Sequence, residues 1–179
     1  MLSIEETDMK KALGAAVILL ASLYSAIYRV RRDSERIKLL LSVRESLLLM
    51  RRELSERRRT LSEVFTYLAD QQEKQLAGSF YASIVSELNS LGDKRVAQIW
   101  RDAAEASFAE AGRDLAEILR PLGELMGSSD LERQLEEAEK CAREIEALAR
   151  KEEDALPQKR RTTFGLTLSA GAFLVILLA

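Results

Sequence analysis

Catalysis by side chains needs a nucleophile, a proton carrier or a metal ligand held beside a partner, and this sequence is short of all three. It has no histidine and one cysteine, Cys141. Histidine is the usual general base and metal ligand near neutral pH, so its absence removes most acid–base and zinc constellations. A single thiol allows neither an internal disulfide nor a paired-cysteine metal clip. Carboxylates crowd Glu136, Glu137, Glu139 and Glu144, but Lys140, Arg143 and Arg150 alternate with them. That interleaving predicts a solvated, ion-paired helix face. A carboxylate-bridged di-metal bundle would also want Glu-x-x-His pairs. No glycine-rich loop is present to cradle phosphates, and Ser128 and Ser129 have no base beside them. Cys141, near Ile145 and Leu148, reads as a small buried hydrophobe. These residues predict a chain that is not an enzyme, with no metal, no cofactor and no small-molecule substrate.

Two groups could bind rather than react. Arg51, Arg52, Arg57, Arg58 and Arg59 form a basic cluster at the end of a helical pattern. A solvated helix end accounts for it simply; a docking patch for an acidic partner is the sharper alternative. Anionic lipid is the weaker fit for a straight helix, since about 27 residues at 1.5 Å each carry these arginines about 40 Å along it. The second group is Gly127-Ser128-Ser129-Asp130, where a glycine ends one helix and Ser129 and Glu132 stand at capping-box spacing to begin the next. The formal net charge of −2 argues against a nucleic-acid binder driven by overall charge.

The elements that must carry these groups are helical. Charged residues make up 31% of the chain and hydrophobic ones 47%, with 8 Gly and 2 Pro to interrupt them, a composition that favours helix. From Asp33 to Arg59, Leu39, Val43, Leu47, Met50 and Leu54 recur at steps of three and four, with Leu40, Leu41 and Leu48 widening the stripe. Thr60 and Glu63 form a capping box before Leu61, Val64, Phe65 and Leu68. Further stripes run through Phe80, Ile84, Val85, Leu88 and Leu91, then Val96, Ile99, Trp100 and Ala103, then Leu115, Ile118, Leu119 and Leu122. A long helix follows from Asp130 to Leu156, with Pro157 as its stop. The expected fold is all-α: an antiparallel bundle of about six helices.

The ends differ from the middle. The runs from Ala12 to Tyr28 and from Thr162 to Ala179 are apolar, long enough to span a bilayer core, and flanked by Lys10, Lys11, Arg29, Arg31, Arg32, Lys159, Arg160 and Arg161. Dense arginine after the first run favours a retained anchor over a cleaved signal. The expected plan is a leader over 1–11, a transmembrane helix over 12–30, a helical domain over 31–157, and a basic flank with a second transmembrane helix over 158–179. The positive-inside rule places the middle in the cytoplasm and both termini outside.

The stretch Leu119-Arg120-Pro121-Leu122-Gly123-Glu124-Leu125-Met126-Gly127-Ser128-Ser129-Asp130, followed by Gln134, resembles the stage III sporulation protein AB family. Met9-Lys10-Lys11, the turn before Leu61, Trp100 and the two terminal spans are similar too, so the resemblance covers the chain from Met9 onward. Arg59-Thr60 stands where the family's turn often carries Pro, and the acidic leader is unusual. The resemblance implies a subunit of the channel complex between mother cell and forespore, in the outer forespore membrane. Its soluble domain would be similar to that of the inner-membrane platform protein of type II secretion. By that analogy it would engage the cognate secretion-type ATPase, stage III sporulation protein AA, from the mother-cell cytoplasm, alongside other stage III channel proteins. Leu122, Gly123, Gly127, Ser129, Asp130, Gln134 and the Arg57–Arg59 cluster are the candidate contacts. A membrane-tethered helical spacer or scaffold is the alternative; it predicts elongated self-association.

Overall fold

The computed structural model describes residues 2–72, 77–90, 94–109 and 112–178; the side chains of 2–13, 15, 19, 72, 168, 171–172 and 174–178 fall outside that set. In chain order it has α1 (Leu2–Ser55), α2 (Leu61–Gln72), α3 (Gly78–Asn89), α4 (Val96–Phe108), α5 (Arg113–Leu125) and α6 (Leu131–Leu178). The described residues contain no strand. The chain divides into two compact units. One joins Met1–Glu35 with Glu152–Ala179, and the other is Arg36–Lys151.

Unit Arg36–Lys151 carries the core. Leu40, Val43, Leu47, Met50 and Leu54 of α1 are buried with Val64, Phe65 and Leu68 of α2, Ile84 of α3 and Leu115, Leu119 and Leu122 of α5. The predicted stripe of α1 is thus buried at Val43, Leu47, Met50 and Leu54. Leu40 sits at its centre, Leu39 only flanks it, and Leu41 and Leu48 are exposed at 44% and 36%. Both lie on the far edge of the stripe, where a helix packed on one side still faces water.

An aromatic cluster ties three helices together. Phe80 meets Trp100 edge-on at 4.9 Å between centroids, and Phe65 and Phe108 lie 6.0 and 5.1 Å from Trp100 and Phe80 respectively. The edge-on pair brings a positive ring edge to a negative face. Tyr81 is fully buried, yet its hydroxyl is satisfied. Ser46 gives its own proton to the Val43 carbonyl (2.7 Å), so its oxygen accepts the Tyr81 O–H at 2.8 Å. Burial pushes the Tyr81 phenol well above its ordinary range.

Ion pairs lie at the edges. Arg44 pairs with Glu146 at 3.0 Å and Arg51 with Glu139 at 3.4 Å. Arg150 first, then Arg44, holds the Glu146 carboxyl below its usual value. Arg36 donates to Asp114 at 2.7 Å and covers Gly112, whose φ of +105° favours glycine.

Two boundaries differ from the sequence reading and one agrees with it. α1 ends at Ser55, so Arg57–Arg59 stand in the connection to α2 instead of on a helix end. The Thr60 capping box forms as predicted: Glu63 accepts from the Thr60 N–H at 2.8 Å, and Thr60 Oγ1 accepts from the Glu63 N–H at 3.4 Å. Pro157 does not stop α6, which continues to Leu178. A proline removes one N–H, and the carbonyl it would have served belongs to exposed Glu153, where solvent can substitute.

In the other unit the exposed large hydrophobics include Leu20, Leu23, Tyr24, Tyr28, Leu166 and Phe173. Ala26 is buried. Among the described residues no helix is long and apolar enough to cross a membrane. The expected leader, residues 12, 13, 15 and 19 of the first expected span, and residues 168, 171–172 and 174–179 of the second lie outside the described side chains.

Candidate functional site

The α5–α6 corner is built around one close approach. Gly123 lies on the face of α5 toward α4, and a Cβ there would overlap the ring of Trp100. The indole N–H donates to the Leu119 carbonyl one turn earlier, at 3.1 Å. Glycine lets the ring reach the helix backbone, and the backbone satisfies the ring's only donor. Leu122 is fully buried beside it.

α5 closes in a tight turn. Met126 has φ −65° and ψ 128°, Gly127 has φ +85°, and the Ser128 N–H donates to the Leu125 carbonyl at 3.1 Å. These are the dihedrals and the bond of a type II turn, whose third residue favours glycine. Around Gly127 a Cβ would meet only ordinary contact with Val96, so the dihedral and not space demands glycine.

Gln134 locks the turn to α6. It is 4% exposed, and its side-chain amide donates to the Leu125 carbonyl (3.1 Å), the Ser128 carbonyl (2.9 Å) and Ser128 Oγ (3.3 Å). Carbonyls left over at a helix end are thereby satisfied. The cap of α6 is Asp130, not Ser129. The Arg133 N–H donates to Asp130 Oδ1 at 3.1 Å, and the helix begins at Leu131, one residue later than the Ser129–Glu132 spacing predicts. A carboxylate there also favours the positive helix start. Ser129 is exposed on the turn.

The family model described as Stage III sporulation protein AB matches residues 11–179. The chain belongs to that family. Its membership carries a role in stage III sporulation. No curated protein and no solved structure matches the chain.

The stretch that resembles the family is thus an architectural corner. Leu122, Gly123, Gly127, Asp130 and Gln134 come together there, each with a packing or hydrogen-bond task. Arg57, Arg58 and Arg59 lie elsewhere, on the α1–α2 connection. Arg57 and Arg59 face Glu53 at 3.6 and 3.4 Å, and Arg59 also lies over the Tyr67 ring at 4.8 Å. Glu53 escaped the sequence reading, although it sits three residues after Met50 and so on the buried face.

Cys141 is buried, and its thiol donates to the Ile118 carbonyl at 3.1 Å. Burial, then Glu137 and Glu144, pushes its pKa up to about 12, which leaves the thiol protonated and a poor nucleophile. No group of three metal-ligating side chains converges among the described residues. Between α4 and α5 lies a cleft of about 680 Å³, floored by Trp100, Ala104 and Phe108 and rimmed by Arg101, Arg113 and Arg120.

Proposed function

We propose that the chain is a non-enzymatic membrane platform subunit of the sporulation channel between mother cell and forespore. In this reading Met1–Glu35 and Glu152–Ala179 hold it in the outer forespore membrane, with both termini outside. Arg36–Lys151 is an antiparallel helical bundle in the mother-cell cytoplasm, where it engages the secretion-type ATPase, stage III sporulation protein AA.

The observation that carries the reading is the sorting of surface between the two units. Large apolar side chains such as Leu20 (66% exposed) and Leu166 (68%) stand open on the terminal unit, while Arg36–Lys151 buries its own core. An apolar surface of that extent calls for lipid or a protein partner. Two ion pairs support the antiparallel packing: from Arg44 to Arg51 the chain advances seven residues, and from Glu146 to Glu139 it retreats seven. The single core of Arg36–Lys151 favours a compact platform over an elongated spacer.

The test is capture of the ATPase by the full chain in lipid nanodiscs. Retention at micromolar concentrations, with loss on charge reversal of Arg57 and Arg58, is the expected result. Absence of retention at those concentrations removes the platform assignment.

A further inference from the structure

The α1–α2 corner combines three features that ordinary helix ends avoid. Glu53 is fully buried, and carboxylates are almost never fully buried unless paired. Neither of its oxygens accepts a hydrogen bond. Arg59, Arg57 and Arg52 surround it at 3.4, 3.6 and 3.9 Å, all beyond the roughly 2.7–2.9 Å of a charge-assisted bond. Between Arg57 and Arg59, Arg58 has φ +50°, the one positive value outside glycine among the described residues. That conformation is uncommon for a long side chain, and it persists where the surroundings enforce it.

The three features fit together. The left-handed residue reverses the connection so that both its neighbours reach the same carboxylate. Glu53 attracts the guanidinium groups, yet leaves their N–H donors unspent on it. Arg57 and Arg52 are 58% and 55% exposed, so those donors are open to a ligand from outside. Arg59 has a second hold on the Tyr67 ring, which keeps its plane in place without Glu53.

We propose that this corner binds an acidic segment of a partner protein, and that Glu53 is its built-in stand-in, holding Arg52, Arg57 and Arg59 until the partner's carboxylates take them over. A carboxylate is the ligand chosen by the site itself, because the arginines are already gathered around one. A guanidinium takes a carboxylate through two parallel bonds, which Glu53 does not provide. The inference deepens the platform reading by naming the chemistry of one contact. Its test uses no ATPase, so its failure leaves that reading standing.

The full chain in detergent is titrated with a fluorescein-labelled peptide of alternating glutamate and glycine, and with its glutamine counterpart, by fluorescence anisotropy. The glutamate peptide binds and the glutamine one does not. Glu53→Gln tightens binding about fivefold, since it removes the internal competitor. Arg57→Gln with Arg59→Gln weakens it about tenfold or more, as loss of charge-assisted bonds requires. Unchanged or weaker binding by Glu53→Gln with its helical circular dichroism intact overturns the stand-in. Should Glu53→Gln fail to fold, the arginine pair decides, because full binding without those arginines overturns the proposal. No binding of the glutamate peptide overturns it as well. Inorganic phosphate and glutarate serve as competitors; displacement by phosphate well below the glutarate concentration assigns the corner to phosphate and overturns the proposal.

Discussion

Gly123 and Gly127 lie four residues apart and are required for different reasons, which substitution separates. At Gly123 an added methyl meets the Trp100 ring, and overpacking of this kind costs about 1–3 kcal/mol. At Gly127 the methyl has room but the φ of +85° disfavours it, a penalty of about 1 kcal/mol. Urea unfolding should therefore rank Gly123→Ala as the more damaging. Equal losses would mean that Trp100 does not press on α5 as described. Cys141 gives a pH signature. Its folded pKa, near 12 against an ordinary thiol value of 9.0, means that its contribution is complete below pH 9 and withdrawn as pH rises toward 12. In Cys141→Ala the fall of stability across that window should be shallower than in the parent chain.

Adjacent leucines on α1 expose the limit of periodicity. Leu40 is fully buried and Leu41 is 44% exposed, although both belong to the stripe read from the sequence. Leu40→Ala should cost about 2–5 kcal/mol, and Leu41→Ala about 0.5 or less. Thermal denaturation of the two variants checks this, and similar losses would place the wrong face inward. Pro157 tests a helix that continues through a breaker. Since α6 already runs from Leu131 to Leu178, Pro157→Ala should leave the helical circular dichroism of the full chain nearly unchanged. A clear gain in helix would restore the stop that the sequence suggested. Periodicity marked the helices because 3.6-residue spacing is local. It missed Glu53 because a charged residue on an apolar face reads as an edge until its burial is seen.

At the scale of the molecule, the two units make opposite demands. Arg36–Lys151 has its own hydrophobic core, so a fragment of those residues should unfold cooperatively on heating; a gradual, non-cooperative melt would show that the terminal unit completes the core. Met1–Glu35 and Glu152–Ala179 leave large apolar side chains open. The full chain should accordingly require detergent to stay monodisperse, and quantitative recovery without it would remove the main support for membrane anchorage.

The sequence by itself determined the helices, the apolar ends, the capping box at Thr60 and the break at Gly127–Asp130, because composition, spacing and cap chemistry act within a few residues. The family resemblance pointed to Gly123 and Gln134 without saying why they matter, and the residue pattern marked Gly127 only as a helix end. The tertiary structure supplied the reasons: the Trp100 ring arrives from α4, the turn needs a positive φ, and the Gln134 amide collects carbonyls from the end of another helix. It also turned Arg57–Arg59 from a helix end into a connection folded over Glu53. Those facts depend on parts of the chain distant in sequence, and a local pattern carries no record of which distant surface will meet it.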